Sequence, residues 1–146
     1  MPKPGTPRFN HVAMSVPASL LGAEGRKEVV DFWSSVFGFQ EFPTETVDGQ
    51  KLVLMAYTFD QFVFLIADDP PMVCPRLDHF GMGVATMAEL DEFYERARAY
   101  ATRDKRVDIV EKKAEVYPGL TLTSFYVRFL LPLMIEVQHF DWAPAS

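Results

Sequence analysis

Hydrophobic and polar residues alternate from Phe9 to Val16, which predicts a strand. Val12, Met14 and Val16 fall on one face, and His11, Ala13 and Ser15 on the other. The segment Met1 to Pro7 reads as a proline-containing arm, Pro17 ends the strand, and residues 18–25 read as a loop. From Arg26 to Phe37 the period lengthens to that of a helix. Val29, Phe32, Trp33, Val36 and Phe37 form one apolar stripe, and Gly38 stands where a C-cap glycine belongs. Strands are predicted next at Phe39 to Val47, Lys51 to Thr58 and Gln61 to Ala67. Asp48-Gly49 marks a hairpin turn between the first two, and Asp60 falls in the shorter second connection.

Residues 68–75 hold three prolines and two acids and read as a boundary. After it the pattern restarts. Arg76 to Ala85 reads as a strand whose Asp78-His79-Phe80-Gly81-Met82-Gly83-Val84 repeats the plan of Asn10-His11-Val12-Ala13-Met14-Ser15-Val16. Thr86 and Glu89 have capping-box spacing and open a helix to about Thr102, with Leu90, Phe93, Tyr94, Ala97 and Ala101 as its stripe. Strands follow at Val107 to Lys112, Leu120 to Arg128 and Leu133 to Phe140, with a turn at Pro118-Gly119. The fold class expected is α+β, two βαβββ modules in tandem. An arm (1–8) would precede one domain (9–146), with modules at about 9–67 and 76–140 and a linker at 68–75. Half a chain of this size cannot cover both faces of its own sheet, so the modules should pack together.

Composition narrows the function classes. Hydrophobic residues make up 49% of the chain and charged residues 23%, which argues against disorder. The net charge is −6 and no basic run stands out, so nucleic acid is not an expected partner. No window is apolar and long enough to span a membrane. Cys74 is the sole cysteine, which excludes an intrachain disulfide framework and fits a reducing cytoplasm. Nothing marks it as a nucleophile.

Strand parity puts His11 and His79 on the face away from the helix-packed residues, beside Ala13, Ser15, Gly81 and Gly83, which leave room for a ligand. Glu136, flanked by Ile135 and Val137, points the same way. A carboxylate in so apolar a strand is costly unless it is paired or bound to a metal, although an edge-strand surface charge is the alternative. Two histidines and one carboxylate would suit a three-ligand metal site. Gln138 shares Glu136's face, as a partner of the site or a surface residue. Tyr126 and Arg128 share one face of their strand and could meet an anionic or enolised substrate. Phe64 is a candidate for an apolar pocket wall. His139 has the opposite parity and is not expected to be a ligand.

The duplicated modules, the paired His strands, the Gly38-Phe39 helix exit and the final Ile-Glu-Val together resemble the vicinal oxygen chelate superfamily. That group includes glyoxalase I, bleomycin-resistance proteins and extradiol dioxygenases. The resemblance covers about Phe9 to Phe140. It implies a curved mixed sheet around a central cavity with the helices outside. It also implies metal ligands at His11, His79 and Glu136, a divalent ion (Fe2+, Mn2+, Ni2+, Co2+ or Zn2+), a small-molecule substrate and a homodimer. Glyoxalase I adds a ligand on the fourth strand, where this chain has Phe62-Val63-Phe64-Leu65-Ile66. That departure points away from glyoxalase I. It leaves a ring-cleaving dioxygenase, lyase or isomerase, or a bleomycin-resistance-like binding protein without catalysis. The apolar hairpin tip at Leu130-Leu131 is expected to be covered by a second subunit or to line the pocket.

Overall fold

The computed structural model describes residues 3–43, 49–58 and 60–143. Its first module runs β1 (His11–Val16), α1 (Ala23–Phe37), β2 (Gln40–Glu41), β3 (Lys51–Met55) and β4 (Phe62–Ala67), with a 3-10 turn at Ala18–Leu20 in the expected loop. The second runs β5 (His79–Val84), α2 (Met87–Arg103), β6 (Asp108–Tyr117), β7 (Leu120–Arg128) and β8 (Met134–Trp142). The duplication read from the sequence is therefore present. The predicted continuation of β2 through 44–47, and Asp48 of its turn, lie outside the described residues.

Local chemistry accounts for the helix ends. Gly38 adopts φ 75°, a left-handed conformation, and its N–H returns to the Ser34 carbonyl. At α2 the Thr86 hydroxyl accepts from the Glu89 N–H while the Glu89 carboxylate accepts from the Thr86 N–H, a complete capping box.

The strands form two four-stranded sheets, ordered β1-β4-β3-β2 and β5-β8-β7-β6. In each the first strand of the module pairs parallel with the last, and the remaining pairs are antiparallel. Each module thus forms its own mixed sheet, with β1 and β5 as edge strands, and the Met72 N–H donates to the Ser15 carbonyl of β1 at 3.2 Å. β6 runs to Tyr117, five residues past its expected end, with a register shift between Val110 and Lys113. Its outer half is charged and exposed, so burial periodicity could not mark its length.

One core joins the modules. Met14, Val16, Val63 and Leu65 from the first sheet and Phe125, Val127, Ile135 and Val137 from the second belong to a single buried cluster with both helices. Trp33 of α1 stacks toward Phe80 of β5, with centroids 6.3 Å apart, and Phe32 packs on Tyr100 and Phe129 at 5.1 and 5.0 Å. Tyr100, rather than the expected Ala101, is the buried residue of α2's last turns. Its hydroxyl donates to Asp31 Oδ2 at 2.8 Å, and burial followed by that bond pushes its phenol up to about 12.

The leucine tip departs from expectation. Phe129 and Leu131 are buried in the chain's own core, Leu130 packs against it with φ 61°, and Arg106 lies over the Phe129 ring. The tip folds inward because Tyr100 and Phe32 offer it an aromatic surface. It neither needs a second subunit as cover nor faces the open side of the sheet.

Candidate metal centre

The open face of the second sheet carries the densest chemistry. On β7, Thr123, Phe125 and Val127 are buried toward the helices, so Ser124, Tyr126 and Arg128 face outward. On β8, Ile135 and Val137 join the core, while Glu136 and Gln138 share the outward face with His79, Gly81 and Gly83 of β5. Register sets the neighbours: Gly81 lies opposite Glu136, Gly83 opposite Gln138, and Tyr126 opposite Glu136 from the other side.

His79 and Glu136 meet. His79 Nε2 lies 3.2 Å from Glu136 Oε2, and Glu136 is only 6% exposed. The other imidazole nitrogen, Nδ1, is 2.8 Å from the Leu77 carbonyl oxygen. An oxygen there can only accept, so Nδ1 carries the proton and, in the neutral ring, Nε2 keeps its lone pair. A lone pair facing a carboxylate oxygen at this distance is repulsive until a cation or a proton sits between them. Metal–nitrogen and metal–oxygen bonds of roughly 2.1 Å at a near-right angle put the two donor atoms about 3 Å apart. The spacing is one that two neighbouring ligands of a metal ion can adopt, and the bond to the Leu77 carbonyl fixes the imidazole's orientation.

Tyr126 completes this corner. Its ring meets His79 edge-on at 5.0 Å. Burial first, then its hydrogen bond to Glu136 and that group's charge, push its phenol up to about 12. It is therefore a neutral donor across the physiological range. Gln138 leans over Gly81, where an added Cβ would stand 3.3 Å from its amide oxygen. Arg128 is on the same face but tied at the sheet end, 3.3 Å from Asp108 and 3.5 Å from the Pro132 carbonyl.

His11 occupies the corresponding place in the first module. It starts β1 on the open face, exposed, with Nδ1 2.7 Å from Asn10 Oδ1 and its ring stacked on Phe62 at 4.9 Å. The Asn10 side chain does for His11 what the Leu77 carbonyl does for His79, and it leaves Nε2 outward. Phe64 lies on this face opposite Ala13, the register position equivalent to Glu136 opposite Gly81. Within one chain no group of three His, Cys, Asp or Glu side chains among the described residues could hold a metal ion. The chain brings His79, Glu136 and Tyr126 together and leaves His11 on the other sheet. A depression of about 580 Å³ lined by Pro17, Gln50, Asp68 and Pro71 includes none of these residues.

His139 lies on the helix side, its Nδ1 buried without a hydrogen-bond partner among the described residues. Cys74 donates to the Pro132 carbonyl at 3.3 Å, which explains it as a tether. Residue patterning does not reveal Leu77 as the orienting acceptor, because the contact is made by backbone. Asn10 carried a signal, a side-chain amide directly before the histidine.

No protein-family model and no curated protein sequence matches the chain. Solved structures do. A glyoxalase/bleomycin resistance protein/dioxygenase from Alicyclobacillus acidocaldarius aligns with a TM-score of 0.61 at 15% identity, covering 96% of this chain and 95% of that one. A lactoylglutathione lyase from Agrobacterium tumefaciens aligns at 0.59 and 18% identity, covering 94% and 96%. A mutant of the fosfomycin resistance protein FosX from Listeria monocytogenes, complexed with Mn(II) and 1S,2S-dihydroxypropylphosphonic acid, aligns at 0.58 and 16%, covering 89% and 90%.

Proposed function

From the fold shared with glyoxalase, bleomycin-resistance and fosfomycin-resistance proteins, we propose that this chain is a metal-dependent enzyme acting on vicinal oxygens of a small substrate. His79 and Glu136 of one chain and His11 of a second copy would hold the ion. The observation that carries this reading is the His79–Glu136 contact, with Nδ1 already committed to Leu77. A bound divalent ion supplies Lewis acidity toward two neighbouring oxygens. Around it Glu136 offsets charge, Leu77 and Asn10 fix the imidazole tautomers, and Tyr126 keeps its proton and anchors the carboxylate. Gly81 and Gly83 leave room above the sheet.

The same geometry supports a homodimer. The shared core uses the helix-facing sides of both sheets, so both open faces turn away from it. His11 and His79 each begin an edge strand of its sheet. Setting β1 of one copy beside β5 of another would join two sheets and bring the third ligand to the pair. The exposed Ile66 and half-buried Phe62 and Phe64 would then be covered. Phe64 in place of a fourth ligand disfavours glyoxalase I chemistry and leaves open positions, as ring-cleaving dioxygenases, lyases and isomerases use.

A second reading is a ligand-sequestering protein, favoured by that apolar wall. Mn(II) titration followed by electron paramagnetic resonance separates the two. The enzyme reading predicts one ion per chain in wild type and a loss of more than about 100-fold in affinity in His79→Ala, beyond the effect of outer hydrogen-bond partners. Wild-type protein that takes up no Mn, Fe, Co, Ni or Zn contradicts it and supports sequestration.

A further inference from the structure

The open face of the second sheet carries a second polar cluster that the metal reading does not use. Arg76 donates from Nε to Asp108 Oδ2 at 2.8 Å and from Nη2 to Oδ1 at 2.6 Å. Arg128 Nη2 reaches the same carboxylate at 3.3 Å. The Arg76 guanidinium, first by its hydrogen bond, holds Asp108 below the usual carboxylate range. Two guanidiniums share one carboxylate, so the cluster carries a net positive charge. The Nη1 group of Arg76 and the Nε of Arg128 have no acceptor among the described residues. Both side chains reach solvent, Arg76 at 53% and Arg128 at 28% exposure.

Register puts this cluster beside the His79–Glu136 pair. His79 lies opposite Met134 on β8, and Tyr126 opposite Glu136. Arg128 is two residues beyond Tyr126 on the same face, and Asp108 is its direct partner on β6. His79 and Arg128 therefore flank Met134 on the two neighbouring strands, roughly 10 Å apart by backbone spacing. Long side chains on both close much of that gap. A substrate over Glu136 would have a positively charged edge one strand away.

We propose that Arg76 and Arg128 form an oxyanion subsite that takes the acidic end, carboxylate or phosphate, of a small substrate whose other oxygens face His79 and Glu136. The position of those other oxygens rests on the metal reading above; the subsite itself does not. Arginine suits the role because its planar fork presents paired donors to a carboxylate or phosphate. Asp108 orients both forks and lowers their net charge. It does not consume all their donors.

The test titrates metal-free full-length protein with inorganic phosphate and, separately, with acetate at constant ionic strength, following backbone amide shifts by NMR. The expected result is saturable binding of at least one anion with shifts centred on Arg76, Tyr126 and Arg128. Affinity falls about tenfold in Arg128→Gln and in Arg76→Gln, the size of one charge-assisted contact. Asp108→Asn keeps both guanidiniums and removes the competing charge, so it tightens the same anion severalfold. It also keeps the test open if either arginine variant misfolds. Phosphate alone binding points to a phosphorylated substrate, acetate to a carboxylic acid. If neither anion binds, or if binding is unchanged in Arg128→Gln or weakened in Asp108→Asn, the cluster is a structural ion pair and the proposal fails. Because no metal is present, a wild type that takes up no Mn(II) leaves this result standing, and a failed anion titration leaves Mn(II) uptake standing.

Discussion

In the first module His11 begins β1 beside Phe62 and Phe64 on the parallel partner strand. In the second, His79 begins β5 beside Met134 and Glu136. The backbone plan is the same in both halves, down to the hydrogen bond that commits each Nδ1. The chemistry is not. One half pairs its imidazole with a buried carboxylate and a phenol, and the other sets its imidazole against an apolar, partly exposed wall. Duplication supplies two equivalent places for a ligand. The second half thus sets a carboxylate beside its imidazole, while the first sets its imidazole in an apolar surface that water disfavours.

The two halves are coupled most strongly through the core they share. Phe32 of α1 is fully buried against Tyr100 and Phe129 of the second module. Phe32→Ala removes an aromatic from the joint core and is expected to cost about 3–5 kcal/mol. Urea unfolding should show a single transition in both wild type and variant. Two separated transitions would mean that the halves fold independently.

The next effect separates the two imidazoles. His79 is oriented by a backbone carbonyl that no substitution removes, whereas His11 depends on a side chain. Asn10→Ala should weaken Mn(II) binding about tenfold, at the low end for an orienting partner. The fold should be unchanged by circular dichroism. Equal affinity would show that His11 is not a ligand or needs no orientation.

The smallest effect is confined to the second half. Of the five tyrosines, Tyr100 and Tyr126 have phenols pushed up to about 12. A raised folded value favours the native state below the ordinary phenol range, and that advantage is lost as pH rises from about 10 toward 12. Absorbance at 295 nm should show a late-titrating component that shrinks in Tyr126→Phe. The variant should also soften the alkaline loss of stability.

Much of this was legible in the chain. Both helices, their caps and the paired His strands follow from periodicity, because each element has one face in a common core. The face occupied by Glu136, Gln138, Tyr126 and Arg128 also follows, since strand parity fixes it once the buried residues are known. What stayed hidden depends on three-dimensional partners. Tyr100 replaces Ala101 because Asp31, on another helix, can accept its hydroxyl. Leu130-Leu131 turns inward because aromatic residues from both helices receive the tip. The Arg76–Asp108–Arg128 cluster joins a loop and two strands with no local pattern. Whether the two modules pair within one chain was not readable either, since β1 and β5 look alike whether or not their edges are paired.

The proposed metal site drawn from two copies of the chain is tested by mixing His11→Ala with Glu136→Gln chains after partial unfolding and refolding together. Each variant alone lacks one ligand in every site. In a mixed dimer one site draws His11 from the Glu136→Gln chain and His79 with Glu136 from the His11→Ala chain. Random pairing of a two-fold dimer then predicts recovery of tight Mn(II) binding at about one ion per four chains. If the mixture binds no more tightly than the separate variants, His11 does not reach the His79–Glu136 pair from a second copy.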